Sequence, residues 1–180
     1  MNSGKKIMQS IVNEEKTVSE YIIMSMFYIK SFETANTSST TDAGEKLTMI
    51  LGPANNYFEK GLEISSKIES FYKQLQELEP DDIFLYNYAD MINACKELLT
   101  VFDLKAHLEA FFSLVNTTHS YAKKIQRNGG YLTDKNRKDL GLYAQQLYTS
   151  ILKITEELTN FKSYMLETKK KLEAMDSDTN

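Results

Sequence analysis

The segment LGLYAQQLYTSILKITEELTNFKSYMLETKKKL, residues 140–172, decides the fold of this chain. Within it, one set of residues recurs at alternating steps of four and three: Leu140, Ala144, Leu147, Ile151, Ile154, Leu158, Phe161, Met165, Thr168 and Leu172. This spacing keeps one face of an α-helix apolar for about nine turns, and it is typical of long helices that pack side by side. We therefore predict a long last helix that begins after a cap at Thr133–Asp134 and ends near Ala174.

The composition of the whole chain agrees with a helical protein. Of its 180 residues, 42% are apolar and 26% are charged, values that are typical of soluble globular proteins. Only two prolines and seven glycines are present, so residues that interrupt helices are scarce. We predict a single all-α domain over residues 1–180, built as an elongated bundle of four to five long helices with coiled-coil-like packing.

The first helix is predicted to run from Ser3 to Phe32. Its second half, Tyr21 to Ile29, is apolar nearly all round, so we expect it to be buried between two neighbouring helices. A surface for a membrane or a partner is the alternative. The run of Thr, Ser and Asn residues that follows disfavours helix, and residues 34–42 are therefore predicted to form a mobile linker.

Two further segments complete the chain. Pro53 is predicted to begin the main part of the second helix, which ends at Pro80. Residues 81–128 contain no glycine or proline and are predicted to form one helix or two nearly continuous ones. The apolar stripe of this segment, in which we include Val101, changes register near residues 100–104, so we expect a break there with Asp103 as a cap. Residues 175–180 are expected to fray.

No arrangement of reactive residues points to catalysis. His107 and His119 are twelve residues apart, which is about 18 Å along a helix and too far for one metal ion. Cys95, the only cysteine, falls in an apolar stripe and is predicted to be buried and structural rather than reactive. Phosphate-binding glycine loops, nucleophile elbows and zinc-binding helix motifs are missing from the sequence. We therefore predict no enzyme activity, no catalytic residue, and no cofactor or metal site.

A cluster of positive charge surrounds the predicted turn at Gly129–Gly130. We call the following seven residues the basic tip: Lys123, Lys124, Arg127, Tyr131, Lys135, Arg137 and Lys138. The last three cations stand at a helix start, where positive charge is unfavourable. This misfit suggests an acidic partner, a phosphate or an anionic surface, and Tyr131 would add apolar contact area. The alternative is a tip whose charges only keep the protein in solution.

Charge and hydropathy restrict the partners and the compartment. The formal net charge is −4 and only two arginines are present, which argues against general nucleic-acid binding. No apolar run reaches the roughly 18 residues that are needed to cross a bilayer. The first residues also lack the apolar core of a signal peptide. We expect a soluble protein with no transmembrane segment, cytoplasmic as written, or exported if a signal peptide had been cleaved from it.

The segment from Asn93 to Phe161 resembles a known family. A long helix, the turn GGYLTDKNR at residues 129–137 and the following YAQQLY and ITEEL motifs resemble the distal part of helical conjugative-transfer proteins of Bacteroides-type mobile elements. The resemblance implies a structural or adaptor role, comparable to that of minor pilus subunits in type IV secretion, and no catalytic residues.

We thus expect a non-enzymatic interaction or assembly protein that binds a protein partner and that could form a homodimer. The alternative is an adaptor that binds an anionic surface or nucleic acid through the basic tip.

Overall fold

The computed structural model describes residues 3–37, 52–78 and 83–178. Its helices are α1 (Ser3–Asn13), α2 (Glu15–Thr37), α3 (Ala54–Gln76), α4 (Ile83–Tyr86), α5 (Ala89–Lys96), a π-helical turn (Glu97–Val101), α6 (Leu104–Arg127) and α7 (Asp134–Asp178). These residues contain no β-strand, so the prediction of an all-α fold is confirmed. Four of the helices are long: α2 and α3 have 23 residues each, α6 has 24 and α7 has 45.

The last helix lies against most of the others. All ten residues of its predicted apolar stripe, from Leu140 to Leu172, are buried. Along its length α7 contacts α1, α2, α5, the π-helical turn and α6. The sequence pattern therefore identified the helix around which the protein is built, and its apolar face is covered within a single chain.

Neighbouring helices run antiparallel around a shared core. Lys5 at the start of α1 forms a salt bridge with Asp176 at the end of α7, with 2.9 Å between Nζ and Oδ1. Tyr57 near the start of α3 stacks on Tyr21 of α2 at 4.5 Å, whereas Lys67, farther along α3, reaches back to Glu14. In the described part of the chain, α3 has extensive contacts with α2 and α6, but not with α7. The long helices consequently form four corners, with α3 diagonally opposite α7.

The predicted first helix is divided into two. The chain leaves the helical path at Glu14, so α1 ends at Asn13 and α2 begins at Glu15. Helix α2 then continues to Thr37, five residues beyond the predicted end and into the predicted linker at residues 34–42. A helix that is already formed gains one hydrogen bond for each residue it adds, which outweighs a weak local preference against helix. The rest of that linker and the predicted start of the segment 81–128 lie outside the described residues.

The break predicted near residues 100–104 is confirmed. Phe102 and Asp103 separate the π-helical turn from α6, and Asp103 adopts a left-handed backbone with φ of +59°. Its Oδ1 accepts a hydrogen bond from the Ala106 amide at 3.2 Å, as expected of a cap. The wider π-helical turn rotates the chain between Leu98 and Leu104, which are both buried. Val101 is consequently 77% exposed, and its assignment to the apolar stripe was wrong. A second break, at residues 87–88, was not predicted.

Other helix ends follow their capping residues more closely. Helix α3 begins directly after Pro53, as predicted. At the other end of the chain α7 extends to Asp178, four residues beyond the predicted end at Ala174, and fraying of residues 175–180 stays a prediction. Two contacts explain this: Asp176 pairs with Lys5, and the Tyr88 hydroxyl donates to Met175 Sδ at 3.3 Å.

The apolar half of α2 is not buried on every side. It packs against α3 and α7, yet Ile23, Met26 and Phe27 are exposed by 67%, 58% and 64%. The expectation that the segment is buried between its neighbours was therefore wrong for these three residues. Two neighbours cover only part of a helix surface, and the third side of α2 has no neighbouring helix among the described residues.

Candidate functional site

The basic tip stands on a short hairpin between α6 and α7. Helix α6 ends at Arg127, and Gly129 and Gly130 follow with φ of +97° and +75°. Only glycine adopts such angles without strain. The Gly130 amide donates to the Ile125 carbonyl at 2.9 Å and thereby closes the helix end. Open space surrounds both glycines, so it is the backbone angle, and not crowding, that requires them.

The start of α7 is fixed by reciprocal capping. The Asn136 amide donates to Thr133 Oγ1, and the Thr133 amide donates to Asn136 Oδ1, each at 3.1 Å. Two backbone donors at the helix start are satisfied in this way, as in a capping box. The predicted Thr133–Asp134 cap is therefore confirmed, with Thr133 as the residue that accepts the hydrogen bond.

One tyrosine joins the two arms of the hairpin. Tyr121 of α6 donates its hydroxyl to Asp139 Oδ2 at 2.7 Å and accepts from Asn136 Nδ2 at 2.9 Å. Its ring also packs edge to face on Tyr143, with 5.5 Å between centroids. Burial is the main cause that raises the pKa of Tyr121; the hydrogen bond from Asn136 lowers this pKa, and the Asp139 carboxylate raises it. This network holds the hairpin in one arrangement, and the sequence did not indicate it.

All seven residues of the basic tip are exposed. Tyr131 is 82% exposed, whereas its neighbour Leu132 is buried and covers the end of the core. None of the six cations forms a salt bridge with any residue that the structure describes. Asp134 and Asp139 offset two of the six positive charges in a chain whose overall charge is −4. The hairpin thus gathers an excess of positive charge and one exposed aromatic ring at one end of α6 and α7.

The other candidates from the sequence lie apart from the tip. Cys95 is buried in α5, and burial raises the pKa of its thiol to about 12, so the thiolate is disfavoured at neutral pH. The prediction of a buried cysteine is confirmed. His107 and His119 are half-buried, and the His107 ring stacks on Phe102 at 4.0 Å. Within residues 3–37, 52–78 and 83–178, no three His, Cys, Asp or Glu side chains converge to hold a metal ion.

Elsewhere, the described residues line two further clefts. An open cleft of about 480 Å³ lies beside His107 and is otherwise lined by α7, including Gln146, Ser150 and Lys153. A smaller one of about 170 Å³ lies between α2 and α3, next to Tyr21. Neither was predicted, because the residues that line them carry no motif and come together only in the folded chain.

The exposed apolar residues of α2 form a third surface. Ile23, Met26 and Phe27 lie on its outer side, and Glu20 and Lys30 bracket them along the helix. The sequence signal was present, since Tyr21 to Ile29 is apolar nearly all round, but it does not distinguish a helix that is covered on all sides from one that keeps an apolar side exposed.

No protein-family model matches the chain, and comparisons with curated proteins and with solved structures find no significant match. Among the helices of the described residues, none is long and apolar enough to cross a membrane.

Proposed function

We propose that this protein is a non-enzymatic interaction or assembly protein that binds a protein partner through its basic tip. The observation that carries the proposal is a hairpin fixed by the Tyr121 network, which displays Tyr131 and six cations that form no salt bridge with any described residue. We further propose that the long helices act as an elongated bundle with coiled-coil-like packing, which keeps the tip at a set distance from the other end. The proposal includes no catalytic residue, cofactor or metal.

The chemistry of the tip favours an acidic protein surface as the partner. Tyrosine and arginine are the residues that most often contribute strongly to protein interfaces. Tyr131 offers a large contact area, while Arg127 and Arg137 can each form paired hydrogen bonds with a carboxylate. Because the hairpin is held in place before binding, little conformational freedom would be lost on association.

The biological setting that we propose follows from the resemblance of residues 93–161 to helical conjugative-transfer proteins. In that setting the protein is a structural or adaptor component of a conjugative transfer or secretion apparatus. The partner of the basic tip would then be an acidic surface on another component of the same apparatus.

A second candidate function is an adaptor that binds an anionic membrane surface or nucleic acid. It is favoured by the six cations without salt bridges, which can approach phosphates directly. Such binding depends strongly on salt, because cations that neutralise phosphates release condensed counterions. It would depend less on Tyr131 than binding to a protein does.

Charge reversal at the tip tests the proposal. The variant Lys135→Glu/Arg137→Glu/Lys138→Glu removes three cations and adds three acidic groups at exposed positions. The matched control, Lys105→Glu/Lys169→Glu/Lys170→Glu, makes the same change in formal charge at exposed positions away from the tip. We expect wild type and control to capture the same protein from source cells, and the tip variant to lose it. If the charge-reversal variant still captured this protein, the proposal would be contradicted.

The variant Tyr131→Ala distinguishes the two candidates. For a protein partner, we expect this change to weaken binding by about 2 kcal/mol or more, in the range of interface hot spots. For the second candidate, binding to vesicles with anionic lipids or to duplex DNA should decline steeply with salt and change little in Tyr131→Ala. Binding of the charge-reversal variant to the anionic vesicles and to duplex DNA is compared with that of wild type, and a loss of binding to either probe identifies the class of partner.

A further inference from the structure

The outer side of α2 carries an apolar stripe that no described helix covers. Its residues are Lys16, Glu20, Ile23, Phe27 and Lys30, which follow one another at steps of four, three, four and three, and all five are exposed. This is the spacing that α7 uses for its buried stripe. Here the two apolar positions and the adjoining Met26 lie open, although large exposed apolar side chains rarely cluster without a binding role.

We propose that this side of α2 pairs with the same side of a second copy of the protein, with the two helices antiparallel. In an antiparallel pair of helices with this spacing, a residue that follows a step of four faces a residue of the second helix that follows a step of three. The register that places Ile23 opposite Phe27 of the second copy also places Glu20 opposite Lys30 of the second copy. The same alignment thus pairs apolar with apolar residues and opposite charges with each other.

The charges select this arrangement over a parallel one. A parallel pair in register would place Glu20 opposite Glu20 and Lys30 opposite Lys30, which is repulsive. In the antiparallel pair, a two-fold axis repeats each contact, so every dimer contains two Glu20–Lys30 pairs and closes without forming a filament. Lys30 also has a contact in its own chain, and its ammonium group has three donors with which to serve a carboxylate as well.

This inference is independent of the proposed function. The apolar side of α2 and the basic tip share no residue, so the dimer does not require a partner at the tip. A protein that dimerises in this way would carry two basic tips.

Charge exchange tests the register. We expect Glu20→Lys alone and Lys30→Glu alone to raise the dimer Kd at least tenfold, measured by sedimentation equilibrium. An equal mixture of the two variants, and the double variant Glu20→Lys/Lys30→Glu, should return to the Kd of wild type. The two positions are ten residues apart, about 15 Å along one helix, so such recovery cannot arise within one chain.

A second pair of variants tests the apolar contact. Ile23→Asp/Phe27→Asp should give a monomer, while Val101→Asp, at an equally exposed apolar position outside α2, should leave the dimer Kd unchanged. Circular dichroism checks that each variant is folded. Wild-type protein that stays monomeric at every concentration would overturn the proposal, and so would charge variants whose mixture does not recover. Failure of the proposed function would instead be seen in the tip variants, whose dimer Kd should match that of wild type.

Discussion

At the scale of single residues, close packing surrounds Gly61, which lies in the core. A Cβ added there would lie 2.5 Å from the Tyr21 hydroxyl oxygen and 2.9 Å from both Leu108 methyl groups. Tyr21 cannot easily move, because its ring stacks on Tyr57 at 4.5 Å, and Leu108 is fully buried. The apolar spacing that predicts a helix does not include glycine, so the close contact of Gly61 with Tyr21 and Leu108 could not be predicted from the sequence.

We predict that Gly61→Ala destabilises the protein. Overpacking costs about 1–3 kcal/mol, and the greater helix preference of alanine offsets about 1 kcal/mol, so we expect a net loss of about 1 kcal/mol. Urea unfolding measures the change, with Ser66→Ala at an exposed position of α3 as the control. If the Gly61→Ala protein were as stable as wild type, Tyr21 and Leu108 could move to accommodate the added methyl group without a loss of stability.

A companion variant tests whether the hydroxyl of Tyr21 is the obstacle. This hydroxyl is buried without a hydrogen-bond partner among the described residues. We therefore predict that Tyr21→Phe keeps or increases stability, by up to about 1 kcal/mol, since a buried polar group without a partner is unfavourable. In the Tyr21→Phe background, Gly61→Ala should be less destabilising, which a double-mutant cycle in urea would reveal. Additive effects of the two changes would contradict this account.

Buried acidic groups predict sensitivity to alkali. Burial raises the pKa of Tyr57 and of Cys95 to about 12, and it raises that of Tyr21 well above its ordinary value. Because each pKa is higher in the folded than in the unfolded protein, the unfolded chain loses protons first as the pH rises. The free energy of unfolding should therefore be constant up to about pH 9 and should decrease between pH 9 and about pH 12. Urea midpoints at several pH values measure this decline, and a constant midpoint up to pH 11 would contradict it.

At the scale of helices, regular spacing was predictable and local breaks were predictable only where a capping residue marks them. The ten-residue stripe of α7 and the glycines after α6 required no tertiary information. Asp103 identified the break before α6 because aspartate tolerates a left-handed backbone and caps a helix. The interruption at Glu14 has no such marker, since residues 5–43 contain neither glycine nor proline.

Asp103 therefore provides a test at this scale. We predict that Asp103→Ala lowers the free energy of unfolding by about 2 kcal/mol, because it removes the side chain that caps α6 and places alanine in a strained backbone. Asp103→Asn should be nearly neutral, since asparagine caps a helix and accepts positive φ. Urea unfolding compares the two. If both variants lost equal stability, the negative charge rather than the cap would be responsible.

At the scale of the whole molecule, the sequence located the basic tip as a candidate surface and left the surface on α2 only as an alternative. The basic tip could be located because charge clusters around a glycine turn. The Tyr121 network that fixes it could not, since Asn136 and Asp139 follow Tyr121 by 15 and 18 residues across the turn. The sequence could not decide between a covered and an open side of α2, because the number of neighbours of a helix depends on how all the helices pack.

The central position of α7 leads to a prediction about cooperativity. Since α7 contacts the corners formed by α2 and α6, and also α1 and α5, loss of its packing should weaken the whole molecule at once. We predict that Leu158→Ala, at a fully buried position, lowers the free energy of unfolding by about 2–5 kcal/mol. The same substitution at Leu166, which is 39% exposed on the same helix, should change it by less than about 1 kcal/mol. Circular dichroism and tyrosine fluorescence should report one shared transition in both variants. Separate transitions for the two probes in Leu158→Ala would mean that α1, α2 and α3 remain folded without α7, and that the core is held together by the other corners.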